Sequence, residues 1–175
     1  LTNQASHHVD MLEWMMGDVE SVFAKMTTAL ADVETEDTAI VTLKFKSGAL
    51  GIIEATTATR PTNLEGSISI LGENGTVVIG GVAVNEMQTW VFEDEQEGDS
   101  GVLEEFSVNP PNVYGFGHQA YYEHVVDCVV NESANLVDGL QGRKSIELIS
   151  AIYESAETGK EVFLKFKPNK CRLGR

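Results

Sequence analysis

Two adjacent histidines and an aspartate stand near the start of the sequence, in the stretch NQASHHVDML. On a helix, Asn3, His7 and Asp10 share one face, because residues three or four positions apart are neighbours on a helix surface. His8 points about 100° away from that face. An imidazole suits proton transfer near neutral pH, and a neighbouring amide or carboxylate can fix its tautomer and orientation. The spacing therefore indicates an acid/base group at His7, with Asn3 and Asp10 beside it.

The same residues have two other interpretations. A surface histidine beside polar residues that cap a helix would give the same pattern. A metal site made of His7, His8 and Asp10 is less favoured, because adjacent histidines face different directions and no cluster of further ligands is evident. We therefore expect no metal-binding residue in this chain, and the choice between a catalytic and a surface histidine stays open on these residues alone.

A helix at the start of the chain positions these residues. Ala5, Val9, Leu12 and Met16 recur at helical spacing, and Gly17 supplies a stop. From Val19 the apolar pattern changes to period two, and five to seven strands follow one another on short turns. These segments read SVFAKMTT, TAIVTLKFK, LGIIEATTA, SISILG, TVVIG, VAVNEM and QTWVFE. Such a series predicts a large, mostly antiparallel sheet.

Two helices and a short strand close the chain. The helical segments are YGFGHQAYYEHVVDCVVN and GRKSIELISAIYESAETG, and the strand is EVFLKF. Gly159 is the C-cap candidate that would end the second helix. Strands grouped in the middle and helices at the ends predict an α+β fold with the helices packed on one face of the sheet. The second face carries Thr, Ala and Gly with apolar residues such as Ile40 and Ile52. We expect it to be open for oligomerisation, and a half-polar solvent-facing surface is the alternative.

Composition limits the class of protein. The chain has 175 residues with 42% apolar content, which suits a single domain. A formal net charge of -15 argues against nucleic acid or an anionic membrane surface as partner. Cys128 and Cys171 are isolated from each other, which favours a cytoplasmic protein. No apolar run approaches the roughly 20 residues of a membrane span, and neither GxGxxG nor GxxxxGK[ST] occurs in the sequence.

The opening segment resembles the one that begins the C-terminal domain of the Gfo/Idh/MocA oxidoreductases. Its family pattern is DxGxHxxDxxxxxxG, followed by a strand. The motif positions are filled by Asn3, Ala5, His7, Asp10 and Gly17, so Asn replaces the first Asp and Ala replaces the Gly. Further matches are EDTAIVTLKFKSGALGIIEAT, ILGENGTVVI, GHQAYYEHVVD and DGLQGRKSIELISAIYESAETGKEVFL. The resemblance thus covers nearly the whole chain.

The resemblance implies that residues 1–175 form the C-terminal substrate-binding and oligomerisation domain of an NAD(P)-dependent enzyme that oxidises CH–OH groups. NAD or NADP would be bound by an N-terminal Rossmann domain with a glycine fingerprint and an EKP-type lysine, and these 175 residues contain neither motif. His7 would share proton transfer with that lysine. The isolated chain is expected to be inactive and to bind no cofactor, and a homodimer or homotetramer would form through the sheet face.

Four further residues are candidates for binding a sugar or nucleotide-sugar substrate: Asn3, Asp10, Arg60 and His118. Asparagine at the first motif position resembles the branch that oxidises UDP-N-acetylglucosamine or its uronic acid at C3. The guanidinium of Arg60 offers a planar fork for a phosphate or carboxylate, although a plain surface arginine is the alternative. His118 is similar to a family position near the substrate, although a capping role at its helix start would also explain it.

Two other functions stay open. The parent enzyme would be a myo-inositol or simple-sugar dehydrogenase of the same family, or the chain would be a binding or dimerisation module without catalysis. Retention of His7 and Asp10 argues against the second alternative, whereas Asn3 is compatible with it. A reading frame that continues upstream through a GxGxxG and an EKP motif would distinguish an enzyme from a binding module.

Overall fold

A computed structural model describes residues 1–3, 5–62, 64, 66–81, 84–108, 110 and 115–165. Along the chain the elements are α1 (Ser6–Met16), β1 (Val19–Thr27), β2 (Thr38–Phe45), β3 (Leu50–Thr56), β4 (Ile68–Leu71), β5 (Gly75–Gly80), β6 (Glu86–Phe92), α2 (Val102–Glu105), α3 (Gly117–Val130), α4 (Gly139–Thr158) and β7 (Val162–Phe163). They fall into two compact units. The first comprises residues 1–62 and 137–175, and the second comprises residues 63–136.

The α+β class with antiparallel sheets is confirmed, but the strands pair differently from the expected single sheet. The first unit holds a four-stranded sheet in the order β3-β2-β1-β7, and the second holds a three-stranded sheet in the order β4-β5-β6. All pairs are antiparallel. The connection from β3 to β4 contains Pro61, which has no amide hydrogen to donate to a sheet. The break between the two sheets falls in this connection.

The core of the first unit lies between its sheet and α4. Strand β2 shows the period-two pattern clearly, since Val41, Leu43 and Phe45 are buried and the intervening residues are exposed. Leu148 and Ile152 of α4 and Val9 of α1 complete this core. Burying such side chains removes apolar surface from water, which is the main stabilising term for the unit.

Both long helices of the first unit end where the sequence predicts. Helix α1 stops at Gly17 and α4 stops at Gly159, each with the positive φ that glycine adopts without strain. At the start of α4, Asp138 accepts hydrogen bonds from the backbone N–H groups of Leu140 and Gln141, both at 2.9 Å. This is an N-cap that satisfies two amide groups of the first turn.

Ser155 ties α4 to the sheet through a buried hydroxyl. Its Oγ accepts a hydrogen bond from the backbone N–H of Ala24 at 3.0 Å and donates one to the carbonyl of Lys160 at 2.6 Å. The side chain is fully buried. A buried hydroxyl with both roles satisfied fixes the distance between helix and strand.

The connection between β1 and β2 is organised by one carboxylate. Oδ2 of Asp37 accepts hydrogen bonds from the backbone N–H groups of three consecutive residues, Ala29 at 2.9 Å, Leu30 at 2.6 Å and Ala31 at 2.9 Å. The bonds from Leu30 and Ala31 are the main reason that the pKa of Asp37 lies below its ordinary value. The ionised carboxylate thus holds this loop closed.

The second unit is a three-stranded meander with helices at its C-terminal side. The indole N–H of Trp90 on β6 donates to Asp99 at 2.9 Å. After α3, the backbone N–H of Leu136 donates to Nε2 of His124 at 3.2 Å, and the thiol of Cys128 donates to the carbonyl of Ala134 at 3.5 Å. Within the described residues, no helix is long and apolar enough to cross a membrane.

Candidate functional site

Helix α1 carries two of the predicted site residues, and a third lies just before it. His7 and Asp10 are one turn apart on α1, and both are exposed. Asn3 was expected on the same helical face, which is wrong, because α1 begins only at Ser6. The carbonyl of Asn3 accepts hydrogen bonds from the backbone N–H of Ser6 at 3.4 Å and from its hydroxyl at 2.8 Å. Asn3 therefore turns the chain into the helix instead of extending its stripe.

Asp10 connects α1 to α4. One of its carboxylate oxygens accepts a hydrogen bond from the hydroxyl of Ser145. The two residues are 135 positions apart in the sequence, so no local pattern indicates this pair. The bond fixes the side of α1 that faces α4, and it leaves His7 on the outward side.

The exposed face of α1 continues beyond His7 to Trp14. The Trp14 side chain is 82% exposed, although tryptophan is a residue that proteins usually bury for the most part. Seven residues separate it from His7, which is nearly two full turns, so the imidazole and the indole stand on one side of the helix. This face combines an exposed imidazole with an exposed indole.

Another face of α1 contains a residue that the sequence interpretation missed. Glu13 lies one turn after the core residue Val9 and is only 8% exposed. Burial is the main cause that raises the pKa of its carboxyl group to about 7. The signal was present in the sequence, because the spacing from Val9 places residue 13 on the buried stripe, where a carboxylate is unusual.

The two remaining candidates lie in different units. Arg60 follows β3 in the first unit, is exposed, and donates from Nη1 to the carbonyl of Thr59 at 2.9 Å. His118 is the second residue of α3 in the second unit and is also exposed. Within the first unit, the structure places His7 and Asp10 on one helix with Asn3 directly before it. Substrate binding by Asn3, Asp10, Arg60 and His118 stays a prediction.

None of these candidates lines the surface depressions beside β5 and β6. Two surface depressions belong to the second unit, one formed by residues 72–76 and 91–93 and the other by a set that includes Trp90, Asp99 and Leu103. Among the described residues, no cluster of three or more His, Cys, Asp or Glu side chains is arranged to hold a metal ion. His7, Asp10, Arg60 and His118 thus stand on exposed surface.

Two solved structures are closely similar to this chain. The WlbA dehydrogenase from Bordetella pertussis, in complex with NADH and UDP-GlcNAcA, is 44% identical with a TM-score of 0.86, and the match covers 94% of this chain and 47% of that one. The WlbA dehydrogenase from Chromobacterium violaceum, in complex with the same two ligands, is 44% identical with a TM-score of 0.83, over 95% of this chain and 46% of that one. The chain thus spans about half the length of these relatives.

A curated relative and a family model give the same assignment. Myo-inositol 2-dehydrogenase from Thermotoga maritima is 36% identical over 101 residues, which is 54% of this chain and 28% of that protein. The model for the C-terminal alpha/beta domain of the oxidoreductase family matches residues 1–164. The chain therefore belongs to the Gfo/Idh/MocA oxidoreductase family and corresponds to its C-terminal alpha/beta domain.

Proposed function

We propose that this chain is the substrate-binding domain of an NAD(P)-dependent dehydrogenase that oxidises a hydroxyl group of a nucleotide sugar. The observation that carries the proposal is the 44% identity, over 94% of the chain, to a dehydrogenase solved with NADH and UDP-GlcNAcA. Asparagine at the first motif position, Asn3, agrees with this choice of substrate class. Because the match covers only 47% of that relative, the activity is assigned to a longer parent protein.

His7 is the proposed acid/base group of this domain. Oxidation of an alcohol removes a hydride from carbon and a proton from oxygen, and the C–O bond becomes a carbonyl. NAD(P), bound outside this chain, supplies the acceptor for the hydride. The imidazole of His7 takes the hydroxyl proton, and it returns a proton to the carbonyl oxygen in the reverse reaction. Its exposure on α1, with Asp10 holding that helix to α4, supports this role.

Arg60 is the proposed contact for the anionic part of the substrate. The chain has 27 acidic and 12 basic residues, so its average field repels a nucleotide diphosphate or a uronate. An exposed guanidinium near the site would offset this repulsion locally and form paired hydrogen bonds to phosphate or carboxylate. Asn3 is assigned as a neutral hydrogen-bonding group for sugar hydroxyls, and His118 of the second unit stays a separate candidate for substrate binding.

Steady-state kinetics of the full-length protein with two different substrates tests the substrate class. We expect the protein to reduce NAD with UDP-GlcNAcA, measured as the rise in NADH absorbance. Its kcat/KM should be at least tenfold above that for myo-inositol. The reverse order would favour the second candidate, a polyol dehydrogenase, for which the 36% identity to myo-inositol 2-dehydrogenase is the supporting observation. Turnover of neither substrate class would favour a binding module without catalysis.

The isolated chain is expected to bind no NADH. A phosphate-cradling glycine turn before a helix is the usual dinucleotide site, and the sequence has no GxGxxG. Isothermal titration of the 175-residue chain with NADH measures this directly, and the full-length protein is the positive control. A micromolar dissociation constant for the chain alone would contradict the assignment of cofactor binding to another domain.

The open face of the four-stranded sheet is the proposed homo-oligomer interface. Ile40 is 52% exposed and Ile52 is 72% exposed. Thr42 lies on the same face, because it pairs with Phe23 of β1 on one side and with Ile52 of β3 on the other. We expect a homodimer or homotetramer that buries about 1,000 Å² or more in total.

Light scattering tests this interface. The wild type should be an oligomer, and Ile52→Lys should be a smaller species. A matched Glu157→Lys variant on α4 should leave the mass unchanged, and a monomeric wild type would contradict the proposal.

A further inference from the structure

Glu13 is a buried carboxyl group that the proposed chemistry does not use. Its side chain is 8% exposed, and Oε2 is sealed from solvent without a hydrogen-bond partner among the described residues. An unpaired carboxylate oxygen in such a place is unfavourable, and the neutral acid is tolerated much better. The folded state therefore favours Glu13 with its proton bound.

The charged groups around Glu13 act on its pKa in both directions, and burial outweighs them. Asp10 on α1, Asp18 in the turn after α1 and Glu147 on α4 all oppose its ionisation, and Lys144 on α4 favours it. The ammonium of Lys144 is already shared, since it lies 3.3 Å from Oδ1 of Asp18. Lys144 favours the carboxylate, but burial and the three acids together outweigh it.

Glu13 lies where α1 meets α4. Its neighbour on the same face, Val9, is fully buried in the core, and the Asp10–Ser145 hydrogen bond joins the same two helices one turn earlier. His7 stands on a different face of α1, six residues before Glu13, so the two side chains do not meet. Any influence of Glu13 on His7 must pass through the orientation of the helix.

We propose that Glu13 is a positioning residue whose protonated form seats α1 against α4, and whose ionisation above neutral pH loosens that contact and misplaces His7. The part that concerns His7 rests on the proposed function. The seating of α1 rests on the burial of Glu13 and on the hydrogen bond that joins α1 to α4, so the two parts can fail separately.

The sign of the pH effect follows from proton binding. The ordinary pKa of a glutamate is 4.5, and burial raises that of Glu13 to about 7. Between these pH values the folded chain holds a proton that the unfolded chain has released, so stability falls as pH rises through this window. Above pH 7 both states have released this proton, so the loss of stability is complete and does not change further with pH. Glu13→Gln keeps a neutral group of the same shape and should lack this dependence.

Thermal unfolding of the chain across pH 5 to 8 is the first test. Relative to wild type, Glu13→Gln should change Tm little at pH 5 and raise it by about 3 °C or more at pH 8. Glu157→Gln, an exposed glutamate on α4, should show no such pH-dependent difference. Equal pH dependence in wild type and Glu13→Gln would overturn the proposal.

Two spectroscopic measurements follow Glu13 and α1 directly in the wild-type chain, with Glu13→Gln as the reference. The carboxyl ¹³C resonance of Glu13, identified by its absence in Glu13→Gln, should titrate near pH 7 and not near 4.5 in wild type. Amide exchange protection along α1 should fall above pH 7 in wild type and stay constant in Glu13→Gln. A Glu13 resonance that titrates at the ordinary value, or unchanged protection, would refute the seating role.

Activity of the full-length protein tests the link to His7. Wild-type kcat should decline above pH 7, whereas Glu13→Gln should keep its value to pH 8 and match wild type within about twofold at pH 6. If α1 loosens with pH but kcat follows the same profile in both proteins, the link to His7 fails. If no sugar is oxidised by either protein, the proposed function fails, and the unfolding and exchange results still decide the seating of α1.

Discussion

Replacing His7 by alanine is expected to lower kcat of the full-length enzyme by about 10²-fold or more, as removal of a positioned acid/base group does. KM should change less, because the imidazole acts mainly when the proton moves in the transition state. His7 is exposed on α1, so its removal should leave the folded structure intact. Steady-state kinetics at saturating substrate, with Tm measured on the same preparation, separates a chemical effect from a structural one.

His8→Ala is the matched control. His8 is the next residue on α1, is half-buried, and points to a different side of the helix. We expect its kcat to stay within about threefold of wild type, together with a measurable loss of Tm, because a half-buried side chain contributes to packing. Equally mild kinetic effects of both substitutions would reduce the histidine pair to a surface feature of α1.

Replacing Ile152 by alanine is expected to lower the free energy of unfolding by about 3 kcal/mol, within the range for large-to-small substitutions in a core. Ile152 is fully buried at the centre of α4 and packs against the sheet of the first unit. The loss has two parts, the transfer of the removed methyl groups and the cavity that remains. Urea unfolding followed by circular dichroism measures it.

Ile146→Ala provides the comparison on the same helix. Ile146 is 66% exposed, so the same substitution should cost less than about 0.5 kcal/mol there. Both changes replace isoleucine by alanine in a helix, so helix propensity cancels between them. Similar losses at the two positions would mean that the face of α4 assigned to the core is wrong.

The helices were predictable because their signals are local. Gly17 and Gly159 end α1 and α4 at the residues where the sequence indicates a stop, and both adopt a positive φ. The division of the strands into two sheets was not predictable in the same way. Period-two patterns identify strands but contain no information on which strands pair.

The candidate site was predictable only in part. His7 and Asp10 follow from helical spacing on α1, whereas Asn3 lies outside the helix because Ser6 is its first residue. The Asp10–Ser145 bond joins residues from opposite ends of the chain, and only tertiary structure brings them together. Glu13 was identifiable in principle, since a charged residue on the apolar stripe departs from the rule that buried positions are apolar.

The carboxylate of Asp37 couples three neighbouring backbone amides to one another. The N–H groups of Ala29, Leu30 and Ala31 all bond to the same oxygen atom, so none of them can be released by a movement of Asp37 without the others. In hydrogen exchange these amides would open as a single cooperative group, unlike the independent fraying of an ordinary loop. Protonation of this carboxyl group removes its charge and would weaken all three bonds together, so acid should convert the β1–β2 connection from an ordered segment to a solvated one in a single step.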